Sequence, residues 1–564
     1  MRGREVFDRI PEEVCRELES IVGPEYVSTD PVICQGNTGF GFGHEVYWFQ
    51  GMIQPPSAIV MPKTTQEVAR IVKLCNRYGI PFTPTSTHAL SMSDPIFRQD
   101  VIMIDLQRMK KWEIDEKNMC FIVEPAVIAA MVSAEANKRG LYYIICGGGG
   151  VVSAASNQYQ HGWGHFNYRA TPYGYRRVNG TEWVSPEGDV YRLGSLSVGD
   201  DSWYWGEGVG MNFNGVLNGQ TAWCGSMGIV TKVSFKLYPF QPEPLEPEGI
   251  GPDTAVALPP RVRYYNITFT SHESMLKAIE EIAETDIANI VNVVPPFWRA
   301  MSKCRGDREF KADFWEAWNA TAPEEATQVN ILRVLLIGRT SLKQLEYEER
   351  VLMDIVGECG GTVRRTRQSD EATFRYANTP DMWMMTGVFA GTNAGWEGVE
   401  CVRVQNELFR DRLGALPFKN DWLDQKKTMP WFLMWDRGRT RYTELHCQPD
   451  ARQIDPEDPG FNPGVVQGLV PWVVSEGPYV CVKTGCTDAF AGLVGSITEV
   501  SPAYHHYADW LRTFKKEFDP KGVSGTAWPN QIDAILQQMP MALTEESRQI
   551  IKQAEAGPWL GNPE

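Results

Sequence analysis

The first half of the chain alternates short apolar runs with amphipathic segments. The run "SAIVMP" (57–62) has the length of a strand, and Val68, Ile71 and Cys75 recur behind the capping pattern "TTQE" at the spacing of a helix. We therefore predict a strand followed by a helix. The short hydroxyl-rich stretch "PFTPTSTHAL" (81–90) lies between this helix and the next apolar run, and it is predicted to be a loop.

Further strands follow this loop. The runs "DVIMIDL" (100–106) and "CFIVEPAV" (120–127) predict buried strands, and "IAAMVSAEANKRG" predicts a helix that ends at Gly140. The turn "SPEGD" between two alternating runs predicts a hairpin over residues 179–194. The segment "CGSMGIVTKVSFKLYPF" (224–240) follows this hairpin.

A second domain is predicted after residues 241–261, which are rich in proline and acidic residues and have the character of a linker. Two later segments, "RYYNITFTSHESMLKAIEEIAE" and "VNILRVLLIGRTSLKQLEYEERVLMDIVGECGG", each contain a strand, a Ser or Thr cap and a helix. This repetition predicts an antiparallel sheet with helices on one face. A last helix is predicted to end at Asp519–Pro520.

Composition and charge limit the classes of protein. With 564 residues, 43% of them hydrophobic, two or three domains with ample cores are expected. The formal charge of −16 repels phosphate backbones, so we predict no nucleic-acid partner. No run reaches the ~20 apolar residues of a membrane span, and we expect a cytoplasmic protein. The twelve cysteines include no CxxC pair, so no metal site is predicted.

Several common signatures are missing from the sequence. It contains no Walker loop, no HExxH and no GxSxG motif. The glycine patterns "GFGFG" (39–43) and "GEGVG" (206–210) do not lie between a strand and a helix, as a dinucleotide fingerprint would. The functional prediction therefore depends on the order of the other motifs.

That order resembles the flavin-binding domain of the vanillyl-alcohol oxidase/p-cresol methylhydroxylase (PCMH-type) superfamily over residues 51–242. The pieces that carry it are "PPSAIVMPKTTQEV", "VIMIDLQRM", "VEPAV", a glycine-rich segment with Asn157, "TPYG", the hairpin and "GSMGIVTKVSFKLYP". "DPKG" (519–522) adds a further similarity. The resemblance implies an α+β fold: a two-subdomain PCMH-type FAD-binding domain and a cap domain with an antiparallel sheet and helices on one face. The implied order is a helical segment (1–50), the FAD-binding domain (51–242), the linker (243–261), the substrate or cap domain (262–500) and a C-terminal helical segment that returns to the FAD-binding domain (501–564).

The resemblance also implies that FAD is the cofactor and that the loop after residue 84 wraps its pyrophosphate. Buried phosphates need N–H and O–H donors, which the backbone and the hydroxyls of Thr85, Ser86 and Thr87 could supply. His88 could attach the flavin, as in the berberine-bridge branch, donate to phosphate or simply pack; we favour a non-covalent role. A capped surface turn is the alternative reading of this loop. The expected cofactor-binding residues are Thr85, Ser86, Thr87, His88, Ala89, Leu90, Gly149, Gly150, Ser153, Asn157, Gly162, Gly228, Ile229 and Val230.

Candidate catalytic residues lie mainly in "WDRGRTRYTELHCQPDA" (435–451), which we interpret as a strand of the cap domain. Alternation would place Arg439 and Arg441 on one face and Tyr442 and His446 on the other. The arginines could hold an anionic substrate, and Tyr442 or His446 could accept a hydroxyl proton. His165, beside the flavin segment, is a rival base. A solvated charged strand is the alternative reading.

The leading functional hypothesis is an FAD-dependent oxidoreductase, an oxidase or dehydrogenase. It would transfer a hydride to flavin N5 from an activated C–H of a small organic substrate: an alcohol, a hydroxy acid or a benzylic or alkylphenol-like compound. Oxygen, a cytochrome or an iron–sulfur protein are the alternatives for the electron acceptor, and a homodimer or a hetero-complex for the assembly. The second hypothesis is an electron-transfer subunit or non-redox flavoenzyme whose substrate site lies with a partner. The third is a flavin-free binding protein.

Overall fold

The computed structural model describes much of the first half of the chain and parts of the second. The described residues are 10–38, 53–88, 98, 100–144, 150–159, 168–169, 177–194, 196, 203–205, 213–218, 225–240, 243–247, 259–293, 330–364, 393–395, 431–445, 459–463, 497–525 and 545–556. Within these ranges the strands form four sheets. None of the helices in these ranges has the length and apolar character needed to cross a bilayer.

Eleven strands lie in the described part of the first half. They are β1 (Val27–Ser28), β2 (Ala58–Val60), β3 (Phe82–Thr85), β4 (Ile102–Asp105), β5 (Trp112–Asp115), β6 (Cys120–Val123), β7 (Leu141–Tyr142), β8 (Val178–Val184), β9 (Val190–Gly194), β10 (Ile229–Lys236) and β11 (Tyr238–Pro239). One sheet has the order β1–β2–β4–β3, in which β2, β4 and β3 run parallel. The second is antiparallel, with the order β5–β6–β10–β8–β9. The predicted hairpin is confirmed as β8 and β9.

The helices of this half confirm the predicted capping pattern. They are α1 (Glu12–Val22), α2 (Pro31–Gly36), α3 (Thr65–Tyr78), α4 (Ala129–Asn137) and α5 (Ala154–Tyr159). At the start of α3, Thr64 Oγ1 accepts from the Glu67 N–H at 3.2 Å, and Glu67 Oε2 accepts from the Lys63 N–H at 2.6 Å. The helix ends at Gly79, whose φ of 67° lies in the left-handed region. Its apolar face packs on the first sheet.

The predicted loop over residues 81–90 is wrong in its first part, because Phe82–Thr85 form β3. β3 pairs with β4 on one edge. On the other edge, the Phe82 N–H donates to the Val523 carbonyl at 2.8 Å, and the Gly525 N–H donates to the Phe82 carbonyl at 2.9 Å. These partners are distant in sequence, so local pattern does not reveal the strand.

The second half forms one antiparallel sheet in the order β15–β12–β14–β13–β17–β18–β16. Its strands are β12 (Val262–Thr268), β13 (Ile290–Val293), β14 (Ile331–Ile337), β15 (Thr362–Arg364), β16 (Asn393–Gly395), β17 (Trp431–Trp435) and β18 (Thr440–Leu445). Helices α6 (His272–Ala283) and α7 (Leu342–Glu358) begin at Ser271 and Ser341, whose hydroxyls accept from Ser274 N and Gln344 N. The predicted antiparallel sheet is confirmed.

The two faces of this sheet have different partners. Val291, Leu332 and Val334 share one core with apolar residues of α6 and α7. Ile290 and Leu335, on the opposite face, share another core with residues of α4 and with Phe240 from the first half. The predicted arrangement with helices on one face is therefore confirmed, and the other face packs on the first half of the chain.

A short segment of the first half is tied to the second half by an ion pair. Arg169 Nη2 lies 2.8 Å from Glu348 Oε1, and both side chains are largely buried. Arg169 Nε donates to the Ala288 carbonyl at 2.8 Å, and the Tyr168 N–H donates to the Asn289 carbonyl at 3.3 Å. These contacts fix residues 168–169 against the start of β13.

The C-terminal part contains α8 (Ile497–Val500), α9 (Tyr507–Phe518) and α10 (Glu545–Ala556), and α9 ends at Asp519 as predicted. Lys515 and Asp519 form a buried ion pair at 2.7 Å, with side chains only 9% and 1% exposed. Lys515 Nζ also donates to the Ser226 carbonyl at 2.6 Å, and Asp519 accepts from the N–H groups of Val523 and Ser524. This pair therefore joins α9, the segment after it and the turn before β10.

Asp519→Asn should lower the stability of the protein by ~3–5 kcal/mol, because it leaves the Lys515 ammonium buried without a counter-charge. Urea denaturation followed by circular dichroism would measure the loss. The matched control is Asp189→Asn, which breaks the exposed Lys73–Asp189 pair (57% and 56% exposed) and should cost no more than ~1 kcal/mol. Equal losses in the two variants would contradict the role of the buried pair.

Candidate functional site

The predicted phosphate loop leaves the carboxyl end of β3 beside the end of β4. The two strands run parallel, and Thr85 pairs with Asp105. The Leu106 N–H donates to the Thr85 carbonyl at 2.9 Å, and the side chains of Thr85 and Asp105 are buried. The carboxyl ends of parallel strands are a common place for ligands in such sheets.

Three consecutive backbone amides of this loop lack internal partners. Within the described part of the chain, no group accepts a hydrogen bond from the N–H of Ser86, Thr87 or His88. Unpaired amides in a row, next to hydroxyl groups, form a concave donor surface that suits an anionic oxygen. The loop therefore has the donors that the predicted pyrophosphate would need.

His88 occupies an unusual backbone conformation at the end of the loop. Its φ of 54° lies in the left-handed region, which residues other than glycine seldom adopt. Its Nε2 lies 3.3 Å from Asp105 Oδ2, but the alignment is not that of a hydrogen bond, and the buried Nε2 has no hydrogen-bond partner among the described residues. The ring is thus held toward the buried carboxylate at the end of β4, an arrangement that suits the predicted non-covalent role.

The segment predicted to line the flavin lies against this loop. Ser153 Oγ accepts from the Ser156 N–H at 3.1 Å and so caps α5, the helix that carries the buried Asn157. The hydroxyls of Ser86 and Ser156 are 3.3 Å apart. The structure therefore brings together two stretches predicted separately, and it adds Ser156, which sequence reasoning missed because no motif marks it.

The turn before β10 packs closely on β3 and β8. Gly225 and Gly228 have φ of 73° and 87°, and a Cβ on either would overlap a neighbour, the ring of Pro84 for Gly225 and the carbonyl of Val184 for Gly228. Ser524 Oγ donates to the Gly225 carbonyl at 2.6 Å and accepts from the Gly228 N–H at 3.1 Å. Ser524 was also missed by the sequence analysis.

Ile229 and Val230 begin β10, where they pair with β8. The ladder between β10 and β6 starts only at Val233. The second edge of β10 therefore has no strand partner at Ile229 and Val230 in the described residues. This free edge agrees with the expectation that their backbone meets the adenine side of the cofactor.

These features together fit a diphosphate-linked cofactor. The loop offers unpaired amides, and the glycine turn allows close backbone approach. Two buried atoms nearby, Thr83 Oγ1 and His88 Nε2, have no hydrogen-bond partner among the described residues. Buried polar atoms are normally satisfied, and the polar groups of a bound ligand would satisfy these.

The predicted strand with the candidate catalytic residues is shorter than expected, because β18 begins at Thr440. Arg439 precedes it and pairs with Glu284 at 2.9 Å; their side chains are 63% and 69% exposed. An ion pair this exposed contributes little to stability. Arg439 thus lies at the end of α6, on the helix side of the sheet.

Register separates the two candidate residues inside β18. Tyr442 is opposite Leu433, and Arg441 is opposite Met434. Met434 belongs to the core shared with α6 and α7. Position 442 therefore lies on the face turned to the first half of the chain, and position 441 lies on the helix face. The other predicted site residues, Ala89, Leu90, Gly149, Gly162, His165 and His446, lie outside the described residues.

Comparison with known proteins agrees with this geometry. Residues 56–194 match the FAD binding domain family. The chain is 27% identical over 201 residues to D-lactate dehydrogenase of Anaerostipes hadrus, a match that covers 35% of this chain and 39% of that protein. It is 31% identical over 199 residues to the 4-cresol dehydrogenase (hydroxylating) flavoprotein subunit of Pseudomonas putida. This match covers 33% of this chain and 36% of that protein. The chain thus spans less than half the length of these curated relatives.

The fold is shared over a greater length. The structure of 4-ethylphenol oxidase from Gulosibacter chungangensis, in an isoeugenol complex, matches with a TM-score of 0.70 at 16% identity. The match covers 94% of this chain and all of that one. At this identity the likeness establishes the fold.

The first half of the chain is therefore an FAD-binding domain, and FAD is the cofactor. The predicted resemblance to the PCMH-type flavoproteins and the predicted fold class are confirmed.

Gly225→Ala should lower the affinity for FAD, since the added Cβ pushes on Pro84 and so displaces the strand that leads into the phosphate loop. The ratio of flavin to protein absorbance, and titration of the apoprotein with FAD, would measure the effect. Gly79→Ala is the matched control: Gly79 also has a left-handed φ, 67°, but a Cβ there meets nothing within 4 Å. Equal FAD affinity in the two variants would count against the proposed contact.

FAD should be released into the supernatant when the protein is precipitated with acid. The reason is that the His88 ring is directed at Asp105, which suits the predicted non-covalent role. Absorbance at visible wavelengths in supernatant and pellet gives the answer, and His88→Ala serves as the comparison. Colour that stays in the wild-type pellet but leaves the His88→Ala pellet would show that His88 is the point of covalent attachment.

Proposed function

We propose that this protein is an FAD-dependent oxidoreductase that takes a hydride from an activated C–H of a small organic substrate. The match of residues 56–194 to the FAD binding domain carries the proposal. Relatives named as a D-lactate dehydrogenase and a 4-cresol dehydrogenase subunit support redox chemistry. Bound FAD would supply the hydride acceptor, flavin N5.

The chain's own residues would hold the cofactor and manage the proton. The amides of Ser86, Thr87 and His88 would bind the pyrophosphate. As the hydride leaves a carbon that carries a hydroxyl, the hydroxyl proton must pass to a base. Tyr442 is our first candidate for this base, because its position lies on the sheet face turned to the FAD-binding half; His446 and His165 are the others.

A second candidate function is a flavoprotein subunit that works in a complex. The observation that favours it is the name of a relative, which describes the 4-cresol dehydrogenase chain as a flavoprotein subunit. In that case a partner would take the electrons from FAD, or would hold the substrate site. Oxygen, a cytochrome and an iron–sulfur protein are the acceptors to compare.

We also propose a reducing, cytoplasmic location. The five cysteines in the described residues, Cys15, Cys34, Cys75, Cys120 and Cys359, are all free thiols. Burial raises the pKa of Cys75 to about 12 and that of Cys34 to about 11, so both stay protonated and inert at neutral pH. Inert buried thiols are ordinary in proteins of a reducing compartment.

An anaerobic substrate screen tests the oxidoreductase proposal. We expect the visible flavin bands of the purified yellow protein to bleach with at least one compound among primary alcohols, 2-hydroxy acids and 4-alkylphenols. Dithionite serves as the positive control for complete reduction. If dithionite bleaches the flavin and none of these compounds does, the proposal fails and the subunit function takes its place.

A further inference from the structure

A row of polar residues crosses the centre of the antiparallel sheet of the second half (β12 to β18), which we call the cap sheet. Arg333 of β14 is directly opposite Asn266 of β12 on one side and Asn292 of β13 on the other. Residues directly opposite in antiparallel strands lie on the same face. Their neighbours Leu332 and Val334 point to the helices, so this row lies on the face turned away from α6 and α7.

Arg333 carries a charge that no described residue neutralises. Its guanidinium lies over the ring of Tyr264, with 5.4 Å between its carbon and the ring centroid. No described carboxylate pairs with it, and its buried Nε has no hydrogen-bond partner in the described part of the chain. Burial lowers the pKa of Arg333 to about 10, so the group is still charged at neutral pH. An unpaired charge in such a place is costly, and a bound anion would offset the cost.

Asn292 extends the donor and acceptor set next to Arg333. Its side chain is 1% exposed, and its Oδ1 has no hydrogen-bond partner among the described residues. A guanidinium binds a carboxylate through two parallel N–H···O bonds. A carboxamide oxygen accepts from a hydroxyl. The pair therefore offers what a carboxylate and a hydroxyl on adjacent carbons require.

The sheet face that carries Arg333 also contacts the FAD-binding domain, near the segment expected to line the flavin. Leu335, two residues along β14 from Arg333 and thus about 6–7 Å away, shares a core with Ala130 of α4. The Ala130 N–H donates to the carbonyl of Gly150 at 2.9 Å, at the start of the segment expected to line the flavin. Arg333 therefore lies beside the contact between the cap sheet and the FAD-binding domain.

We propose that Arg333 and Asn292 form the site for the carboxylate and hydroxyl of a 2-hydroxy acid substrate. This inference rests on the proposed oxidoreductase function and names its substrate class. Arg333 holds the two carboxylate oxygens, and Asn292 Oδ1 accepts from the hydroxyl on the adjacent carbon in the bound substrate, before the hydroxyl proton passes to the base. A guanidinium can form two parallel hydrogen bonds with the two oxygens of a carboxylate, but not with the single oxygen of a phenolate. Arg333 therefore suits a carboxylate better than a phenolate.

Oxalate is the probe, because it presents the same planar carboxylate and cannot be oxidised by hydride loss. We expect oxalate to perturb the flavin absorbance of the wild-type holoenzyme, and Arg333→Met to weaken its binding on the order of 10- to 100-fold. Arg263→Met is the matched control. It removes the same side chain from the same sheet, but Arg263 is opposite Leu336, on the helix face, and oxalate binding should not change.

Folding of the variants is checked by their FAD content and thermal unfolding. Replacement of an unpaired buried charge by an apolar chain of similar length should not destabilise the protein. Arg333→Lys keeps the charge but cannot form two parallel bonds, so it should bind oxalate more weakly than wild type and more tightly than Arg333→Met.

Two outcomes would overturn the inference: wild type does not bind oxalate, or Arg333→Met and Arg333→Lys both bind it as wild type does. Bleaching by an alkylphenol or a simple alcohol, together with either outcome, would leave the oxidoreductase proposal standing while the 2-hydroxy acid site falls. Oxalate binding that depends on Arg333, without bleaching by any substrate, would overturn the oxidoreductase proposal and with it the substrate role of the site, and would leave Arg333 as a carboxylate-binding residue only.

Discussion

The cofactor site depends on one constraint: strand β3 must be held on both edges while the loop that it leads into keeps its amides free. β4 holds one edge, and Val523 and Gly525 hold the other. The buried Lys515–Asp519 pair fixes the segment that supplies this second edge. With the strand fixed in this way, the amides of residues 86–88 donate to no acceptor among the described residues and are in a position to serve as donors for the expected phosphate. Ordering them in advance reduces the entropy that cofactor binding would otherwise cost.

The two faces of the cap sheet differ in character. The helix face is an apolar core, while the opposite face changes along the strands from apolar at Leu335 to polar at Arg333. The apolar part attaches the sheet to the FAD-binding domain, and the polar part adjoins that attachment. Arg169 and Glu348 add a largely buried tie between the two halves. A polar group close to a rigid contact can be positioned well without a loop to carry it.

Local signals in the sequence were enough for much of the fold. The caps at Thr64, Ser271 and Ser341 and the turn between β8 and β9 act within a few residues, and all were predicted. β3 was missed because its second edge is formed by residues near the other end of the chain. Arg333 was overlooked because "NILRVLLI" has the pattern of an ordinary strand with one exposed position. That no described carboxylate pairs with Arg333 depends on its neighbours across the sheet, Asn266 and Asn292. Ser156 and Ser524 likewise gain their roles only from contacts between distant segments.

The position of Val523–Gly525 beside β3 also has a consequence for biosynthesis. During translation β3 emerges long before these residues do, so it keeps one bare edge until residues 523–525 have been made. An exposed edge can pair with the wrong strand or with another chain. A product truncated before Val523 would therefore lack the second edge of β3, the strand that leads into the loop expected to bind the pyrophosphate.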